Sequence, residues 1–405
     1  MPEDAPFIEN RSPRHAIIAG AGIGGLAAAL FLARAGWRIS LCERRPELAE
    51  FGAGLQLSPN ATRLLRPLGL IDDLRESAIA PETMRVRRGR DGITLAKTPF
   101  GKAAEQRYGA PFLVLHRGDL HRALAARVRA EAGVTLHLGL MLADIRTGPH
   151  SITALFTNAA GESTRLEADL LIGADGLWSR ARRIAGLPGP SRPAGKTAWR
   201  ALIPREKAPL FAREPDVNLW LGEGAHLVHY PVCGGRAINV VAIITEDWHE
   251  EGWSSPGAPD VITSHFRGWD RAARDLVGAA EGWQRWPLID RAPEQRWSRE
   301  RMTLLGDAAH PMMPFLAQGA SQAIEDAFVL AQKLQSAASL KAALAAYETA
   351  RITRTARVQT VARLQGQLYH LSGPLGAMRD AALRLAPGDA LLARYGWIYS
   401  HRAEV

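Results

Sequence analysis

His15–Glu43 reads HAIIAGAGIGGLAAALFLARAGWRISLCE, and its punctuation decides the fold. The apolar run from His15 to Gly20 is short and closed by glycine, the pattern of a buried strand. Gly22 to Ala35 is rich in alanine and leucine and reads as a helix that Gly36 stops. Trp37 to Cys42 is a second strand, so the stretch is a βαβ unit and implies a parallel sheet. Within it Gly20, Gly22 and Gly25 stand in G-x-G-x-x-G, between strand and helix. Gly20 permits the tight turn, Gly22 lets a pyrophosphate approach the backbone, and Gly25 allows close helix–sheet packing. The loop Gly20, Gly22, Ile23, Gly24 and Gly25 thereby presents a helix N-terminus to phosphates. Glu43, closing the second strand, can accept hydrogen bonds from an adenosine ribose. The motif leaves NAD and FAD both open.

Further along, Phe112 to His116 reads as a strand, Arg117 to Ala132 as a helix and Val134 to Leu138 as a strand. Ser151 to Thr157 and Thr164 to Glu167 form a hairpin pattern. Asp169 to Gly173 is an apolar strand running into GADG, and Met302 to Leu305 is another, running into GDAAHP. Residues 195–245 are rich in strand formers. Residues 257–290 read as helical, and Gln318 to Leu334 and Leu340 to Leu371 as helices. The βαβ character at 15–45, 112–185 and 300–335 is interrupted by β-rich stretches. The expectation is a discontinuous cofactor domain (1–80, 107–190, 295–345), a substrate domain (81–106, 191–294) and a C-terminal helical segment (346–405).

The 405 residues carry 47% hydrophobic side chains and a formal net charge of +9. No apolar run is long enough to span a bilayer, and the polar start, MPEDAPFIENRSPRH, reads as a loose tail rather than a leader. Cys42 and Cys233 are the only cysteines; two thiols make neither a disulfide framework nor a zinc pattern, which points to the cytoplasm. Arg351, Arg354 and Arg357 recur at helical spacing and read as a solvated face, the alternative being a basic surface that attracts anions. No nucleic-acid motif is present, so nucleic acid is not an expected partner. The twelve histidines include no H-x-x-x-H pair with a supporting acid, so a metal site is not expected.

Three elements in order, GAGIGG, the D-G of Asp175–Gly176 and the G-D of Gly306–Asp307, resemble the fingerprints of the flavoprotein aromatic hydroxylases, single-component monooxygenases. FGAGLQLSPNATRLLRPLGL, HRGDLHRAL, HYPVCGGRAINVVA and PFLAQGASQAIEDA are most similar to salicylate, 3-hydroxybenzoate and 6-hydroxynicotinate hydroxylases. The resemblance implies an α/β fold: an FAD-binding Rossmann-like domain of the glutathione-reductase type, an interleaved β-rich substrate domain and C-terminal helices. It implies FAD as bound cofactor, NADH or NADPH and O₂ as co-substrates, and hydroxylation of a small aromatic acid through a flavin C4a-hydroperoxide. Glu43 and Arg44 would bind the adenosine ribose, Arg117 the phosphate and ribityl region, and Leu142 would give backbone contacts near the adenine. Asp307 would hold the ribityl chain, and Asp175 would support the cleft indirectly. Gly319, Ala320 and Ser321 would face the flavin pyrimidine edge. Ala317 and Ser321 replace the glycine and asparagine of the usual G-Q-G-x-N, and Gln56 stands where pyridine-type relatives often carry a histidine. A homodimer is compatible with this class.

Activating a ring hydroxyl needs a nearby base. In HLVHYP, a strand places His226, Val228 and Tyr230 on one face and Leu227 and His229 on the other. His226 and Tyr230 are the expected catalytic pair; Gln56, His229 and Phe315 are expected to contact substrate. His310 to Phe315 would wall off the flavin from the substrate, with His310 equally readable as structural. Three other functions remain open at this level. One is epoxidation or hydroxylation of a larger polycyclic or lipid-like molecule. Another is a silent flavin-binding sensor, and the third a plain NAD dehydrogenase, which the G-D segment argues against.

Overall fold

A computed structural model describes residues 14–48, 53–187, 191–249 and 254–403. Residues 1–13 of the polar start and Phe51–Gly52 lie outside the described residues. The βαβ opening forms as expected: strand His15–Ala19, helix Ile23–Arg34 and strand Arg38–Glu43. Strands His15–Ala19 and Arg38–Glu43 pair in parallel, and the sheet order is Met302–Leu304, Leu170–Gly173, His15–Ala19, Arg38–Glu43, Val134–Leu138. The short strand Ser298–Arg299 adds antiparallel at the outer edge. Both faces of this sheet are covered, which is why its strands read as unbroken apolar runs. Helices Ile23–Arg34, Arg117–Ala130 and Gly319–Ser336 bury their apolar residues in one continuous core with it. A three-stranded antiparallel meander, Met141–Thr147, Ile152–Thr157 and Ser163–Ala168, crosses beside it.

The β-rich stretches assemble into one eight-stranded sheet. Its order is Ser255–Pro256, Gln284–Asp290, Arg192–Pro204, Ala237–Ile244, Ala225–Val232, Asp216–Gly222, Thr83–Arg88, Thr94–Pro99. One face, with Ala198, Tyr230 and Ile243, packs toward the cofactor side with Met313, Phe315 and Leu316. The other face, with Trp199, Leu227 and Val240, packs on helices Pro259–His265 and Arg271–Gly278. The helical reading of 257–290 is therefore corrected: those two short helices are followed by the strand Gln284–Asp290, paired antiparallel with Arg192–Pro204. Pro287 obscured the strand, yet Trp286 and Leu288 alternate onto the site face, where both line the large cavity described below.

The solvated-face reading of Arg351 and Arg354 is also corrected. Helix Leu340–Tyr369 buries Tyr347, Arg351, Thr355, Val358 and Ala362, a stripe at helical spacing. Arg351 is fully buried and pairs with Glu325 and Asp326; Arg354 grips Glu325 with two bonds of 2.7 Å. Arg357 lies over the Trp397 ring, 4.1 Å from its centroid. No helix among the described residues is long and apolar enough to cross a membrane.

Candidate active site

A cavity of about 1080 Å³ runs from the end of Arg38–Glu43, over the glycine loop, to the G-D turn and the eight-stranded sheet. The glycines divide their work. A Cβ on Gly20 would lie 2.5 Å from the Ala174 carbonyl oxygen, and one on Gly25 would lie 1.9 Å from the Gly20 carbonyl oxygen. Gly24 faces Leu305 and Ala323, so it serves packing against helix Gly319–Ser336. A Cβ on Gly22 would meet nothing within 4 Å, and Gly22 lines the cavity. The helix that Gly22 caps has no side-chain cap and no acid in its first turn. Open space at an uncapped helix N-terminus is a cradle for a pyrophosphate. Ile23 is buried in the core beneath it.

Glu43 accepts from the Ala21 amide at 2.9 Å and the Arg45 amide at 3.0 Å, which fixes its carboxylate at the cavity rim beside Arg44. Leu142 and Arg117 line the same cavity. His121, which sequence reasoning missed, also lines it, and its Nε2 lies 2.8 Å from the Ala21 carbonyl oxygen. Asp175 caps the short helix Arg180–Ile184, accepting from the Arg180 and Ala181 amides at 2.7 and 3.0 Å. Asp175 also lines the cavity itself.

The G-D turn is held from below. Asp326 accepts from the Gly306 amide at 2.9 Å and lies 2.6 Å from His310 Nε2. His310 is buried against Trp297, which favours its structural reading. Burial would raise the Glu325 and Asp326 carboxyls, but opposing charge wins and both are held at about 2: Arg351 with Arg354 for Glu325, His310 with Arg351 for Asp326. Above this anchor Asp307 opens onto the cavity; its enclosure by protein raises its pKa against the pull of His310 and Arg117.

Helix Gly319–Ser336 starts without a side-chain cap, leaving the Gly319 and Ala320 amides free to meet an anion. Ala317, in place of the usual glycine, sits in the left-handed region (φ 51°, ψ 38°), which costs a side-chain-bearing residue roughly 1–2 kcal/mol. Ser321 is fully buried with its Oγ 3.4 Å from Ser58 Oγ, in a polar cluster below the helix start that includes Gln318 and Asn60.

The expected face of Ala225–Val232 forms. Tyr230 is buried and hydrogen-bonded to the Gln56 side chain; burial raises its pKa, opposed by Arg200 and Gln56. His226 is buried 5.5 Å from the Phe315 ring, centroid to centroid. Phe315 is wedged against Gly366, and its neighbours Pro311, Met312, Met313 and Pro314 line the cavity. His229 does not join them. It lies on the opposite face against Phe211 and Trp220, at ring distances of 5.7 and 6.4 Å. Strand alternation separates it from the cavity, and its placement there corrects its grouping with substrate contacts. Arg200 was missed. It projects into the cavity from the strand beside Ala237–Ile244, lies over Trp286 at 5.5 Å, and its buried Nε has no acceptor among the described residues.

A parallel sheet with a glycine cradle at one end, a held G-D turn and a β-walled chamber between them define a flavin-dinucleotide oxidoreductase. The model of the FAD binding domain family matches residues 14–365, and the chain belongs to that family. It is 39% identical over 399 residues, 98% of each chain, to 3-amino-4-hydroxybenzoate 2-monooxygenase PtnB3 of Streptomyces platensis. It is 37% identical to 3-hydroxybenzoate 6-hydroxylase 1 of Aquipseudomonas alcaligenes, covering 95% of this chain and 96% of that one. A salicylate hydroxylase substrate complex superposes with a TM-score of 0.81 at 26% identity, covering 97% of both chains. The protein is an FAD-dependent monooxygenase of the aromatic hydroxylase type. Gly25→Ala is expected to lower flavin occupancy at least about tenfold, since the cradle must shift; flavin absorbance of the purified protein reads this directly.

Proposed function

We propose that this enzyme hydroxylates a small phenolic or N-heteroaromatic acid, using NADH or NADPH and O₂. The carrying observation is Arg200, a cation in the β-walled chamber with a buried, unpartnered Nε. A buried donor of this kind fits a carboxylate, and the guanidinium fork suits its two oxygens. The relatives named for benzoate-type acids support the same class.

FAD, when bound, supplies the redox and oxygen-activating chemistry. Gly20, Gly22, Glu43, Arg44, Arg117, Leu142, Asp307, Gly319 and Ala320 are the residues that would hold it. The chain's own groups then act on the ring. His226 is pushed well below its ordinary pKa by burial, His370 and Lys196, so its imidazole stays neutral near pH 7 and can accept a hydrogen bond from a ring hydroxyl. Tyr230, kept as a phenol, can donate a hydrogen bond to the substrate oxygen, oriented by Gln56. Trp286, Met312 and Met313 exclude water from the chamber. The free thiols of Cys42 and Cys233 fit a reducing, cytoplasmic setting.

The test is a substrate panel of phenolic and pyridinol acids, their amides, and bulky apolar ligands, run with both NADH and NADPH. Oxygen uptake and product against peroxide are scored. Acids are expected to stimulate NAD(P)H oxidation and yield hydroxylated product. Stimulation by bulky apolar ligands alone would overturn the small-acid reading, and no stimulation by any ligand would leave a silent binder.

A further inference from the structure

Strand register turns the chamber wall into a grid. Ala198, Arg200 and Leu202 on strand Arg192–Pro204 pair with Ile243, Val241 and Asn239, and these pair in turn with His226, Val228 and Tyr230. By alternation they share the face on which Ala198, Tyr230 and Ile243 pack toward the cofactor side. Ala198, Arg200 and Leu202 line the cavity. The middle strand adds aliphatic Ile243 and Val241 to this face and one amide side chain, Asn239.

Asn239 is fully buried, and its Oδ1 accepts from the Gly54 amide at 2.6 Å. A backbone N–H can only donate, so the atom facing Gly54 is the oxygen and the orientation of the amide follows. Nδ2 stands on the other side of the amide carbon, and no acceptor among the described residues reaches it. A buried donor left this way costs about 1–3 kcal/mol, which a leucine of similar size would avoid. Gly54 is packed against the same corner: a Cβ there would lie 2.6 Å from Asn239 Cγ and 2.6 Å from Tyr230 Cε2, and its neighbour Ala53 lines the cavity. Arg200 Nε is the other buried donor of this wall without an acceptor. Tyr230, whose burial keeps it a phenol, adds an O–H. This corner therefore offers a guanidinium, an amide N–H and a phenol O–H, and it suits a ring that carries acceptors.

We propose that Asn239 is a specificity-determining residue: its Nδ2 donates to an acceptor on the substrate ring, a hydroxyl oxygen or a pyridine-type nitrogen, while Arg200 holds the carboxylate. The proposal rests on the small-acid reading and narrows it to acids whose ring bears such an acceptor. Asn239 stands diagonally from Arg200 across the ladder, a placement that sets Cβ atoms roughly 7–8 Å apart, a span that one aromatic ring bridges. An amino group at that position meets Nδ2 donor to donor, so the amino counterpart of a hydroxy acid binds less well. Asn239 takes part in recognition only, and no proton or electron passes through it. Its Oδ1 holds the loop at Gly54 in every state, which keeps Nδ2 oriented before the substrate arrives.

The test measures Kd by calorimetry for FAD-loaded enzyme, without reductant, against 3- and 4-hydroxybenzoate, their amino counterparts, benzoate, 6-hydroxynicotinate and nicotinate. The readout is the affinity ratio of the best hydroxy acid to its unsubstituted parent, which cancels any effect that a loosened Gly54 loop has on both ligands. Asn239→Leu is expected to lower that ratio at least about tenfold and to erase the preference for hydroxyl over amino. Asn239→Asp still accepts from the Gly54 amide but presents no N–H. It should lose the ratio to a similar extent with flavin content unchanged. A ratio within about twofold of the unmodified value in both variants would overturn the proposal and leave Asn239 as a holder of the loop alone. If no hydroxy acid bound the unmodified enzyme more tightly than its parent, the small phenolic-acid reading would fail instead, so the two failures are distinguishable.

Discussion

Arg351→Met is expected to destabilise the folded enzyme by about 3 kcal/mol, toward the lower end of what breaking a buried ion pair costs. Arg351 is fully buried between Glu325 and Asp326 and donates to Asp326 Oδ1 at 2.7 Å and Gln322 Oε1 at 2.8 Å. Removing it strands two carboxylates in a dry site, partly relieved because Arg354 still holds Glu325 and His310 still meets Asp326. The pH dependence identifies the cause. In the unmodified protein both acids are held at about 2, below their ordinary values of 4.5 and 3.8. Their depressed values add stability that is fully present above about pH 4.5 and is lost as pH falls toward 2. In the variant, burial without Arg351 raises these carboxyls, so the deficit should shrink on acidification from neutral pH. Urea denaturation across that range measures it. A deficit below about 1 kcal/mol, or one independent of pH, would show that the network does not stabilise the fold as argued. Flavin should also loosen, because Asp326 fixes the Gly306 amide beneath Asp307.

The second large effect falls on specificity. Arg200→Gln is expected to lower kcat/KM for the preferred acid by roughly 30- to 150-fold, the equivalent of about 2–3 kcal/mol for a charge-assisted contact. The corresponding amide should change by less than about threefold, since it never made the ionic contact. Flavin content should be unaltered, because Arg200 sits on the β-sheet wall and not on the glycine loop. Equal losses for acid and amide would remove Arg200 from carboxylate recognition, and no loss for either would place the substrate elsewhere.

What could be read from the chain alone was what is local. The glycine spacing, the strand before it and the acid after it are neighbours in sequence, and so are the D-G and G-D turns with their strands. Strand alternation also separated His226 and Tyr230 from His229, although His229 was still counted among the substrate contacts. Arg200 was hidden because AWRALIP shows only an arginine in an apolar strand; its meaning depends on Arg117, Tyr230 and Trp286, which other elements bring to it. Arg351 was legible in principle. It falls in phase with Tyr347, Thr355, Val358 and Ala362, and a cation in an apolar stripe needs a buried acid across from it, which Glu325 and Asp326 supply. The eye went instead to its spacing from Arg354 and Arg357. The 3.0 Å contact of His370 Nδ1 with Lys196 Nζ was beyond reach, since it joins a helix end to a strand 174 residues earlier.

The order of the parallel sheet sets a timetable for biosynthesis. Its glycine-loop strand is among the first segments made, but the strand that completes its flank, Met302–Leu304, arrives when about three-quarters of the chain exists. The anchor of the G-D turn waits longer still, for Arg351. An emerging chain therefore carries an exposed sheet edge beside Leu170–Gly173 for about a third of translation, and such edges invite pairing with other chains. Tight capture of the dinucleotide is a late event, fixed after the sheet closes, so limiting flavin during expression should leave folded, loadable apoprotein rather than arrested nascent chains.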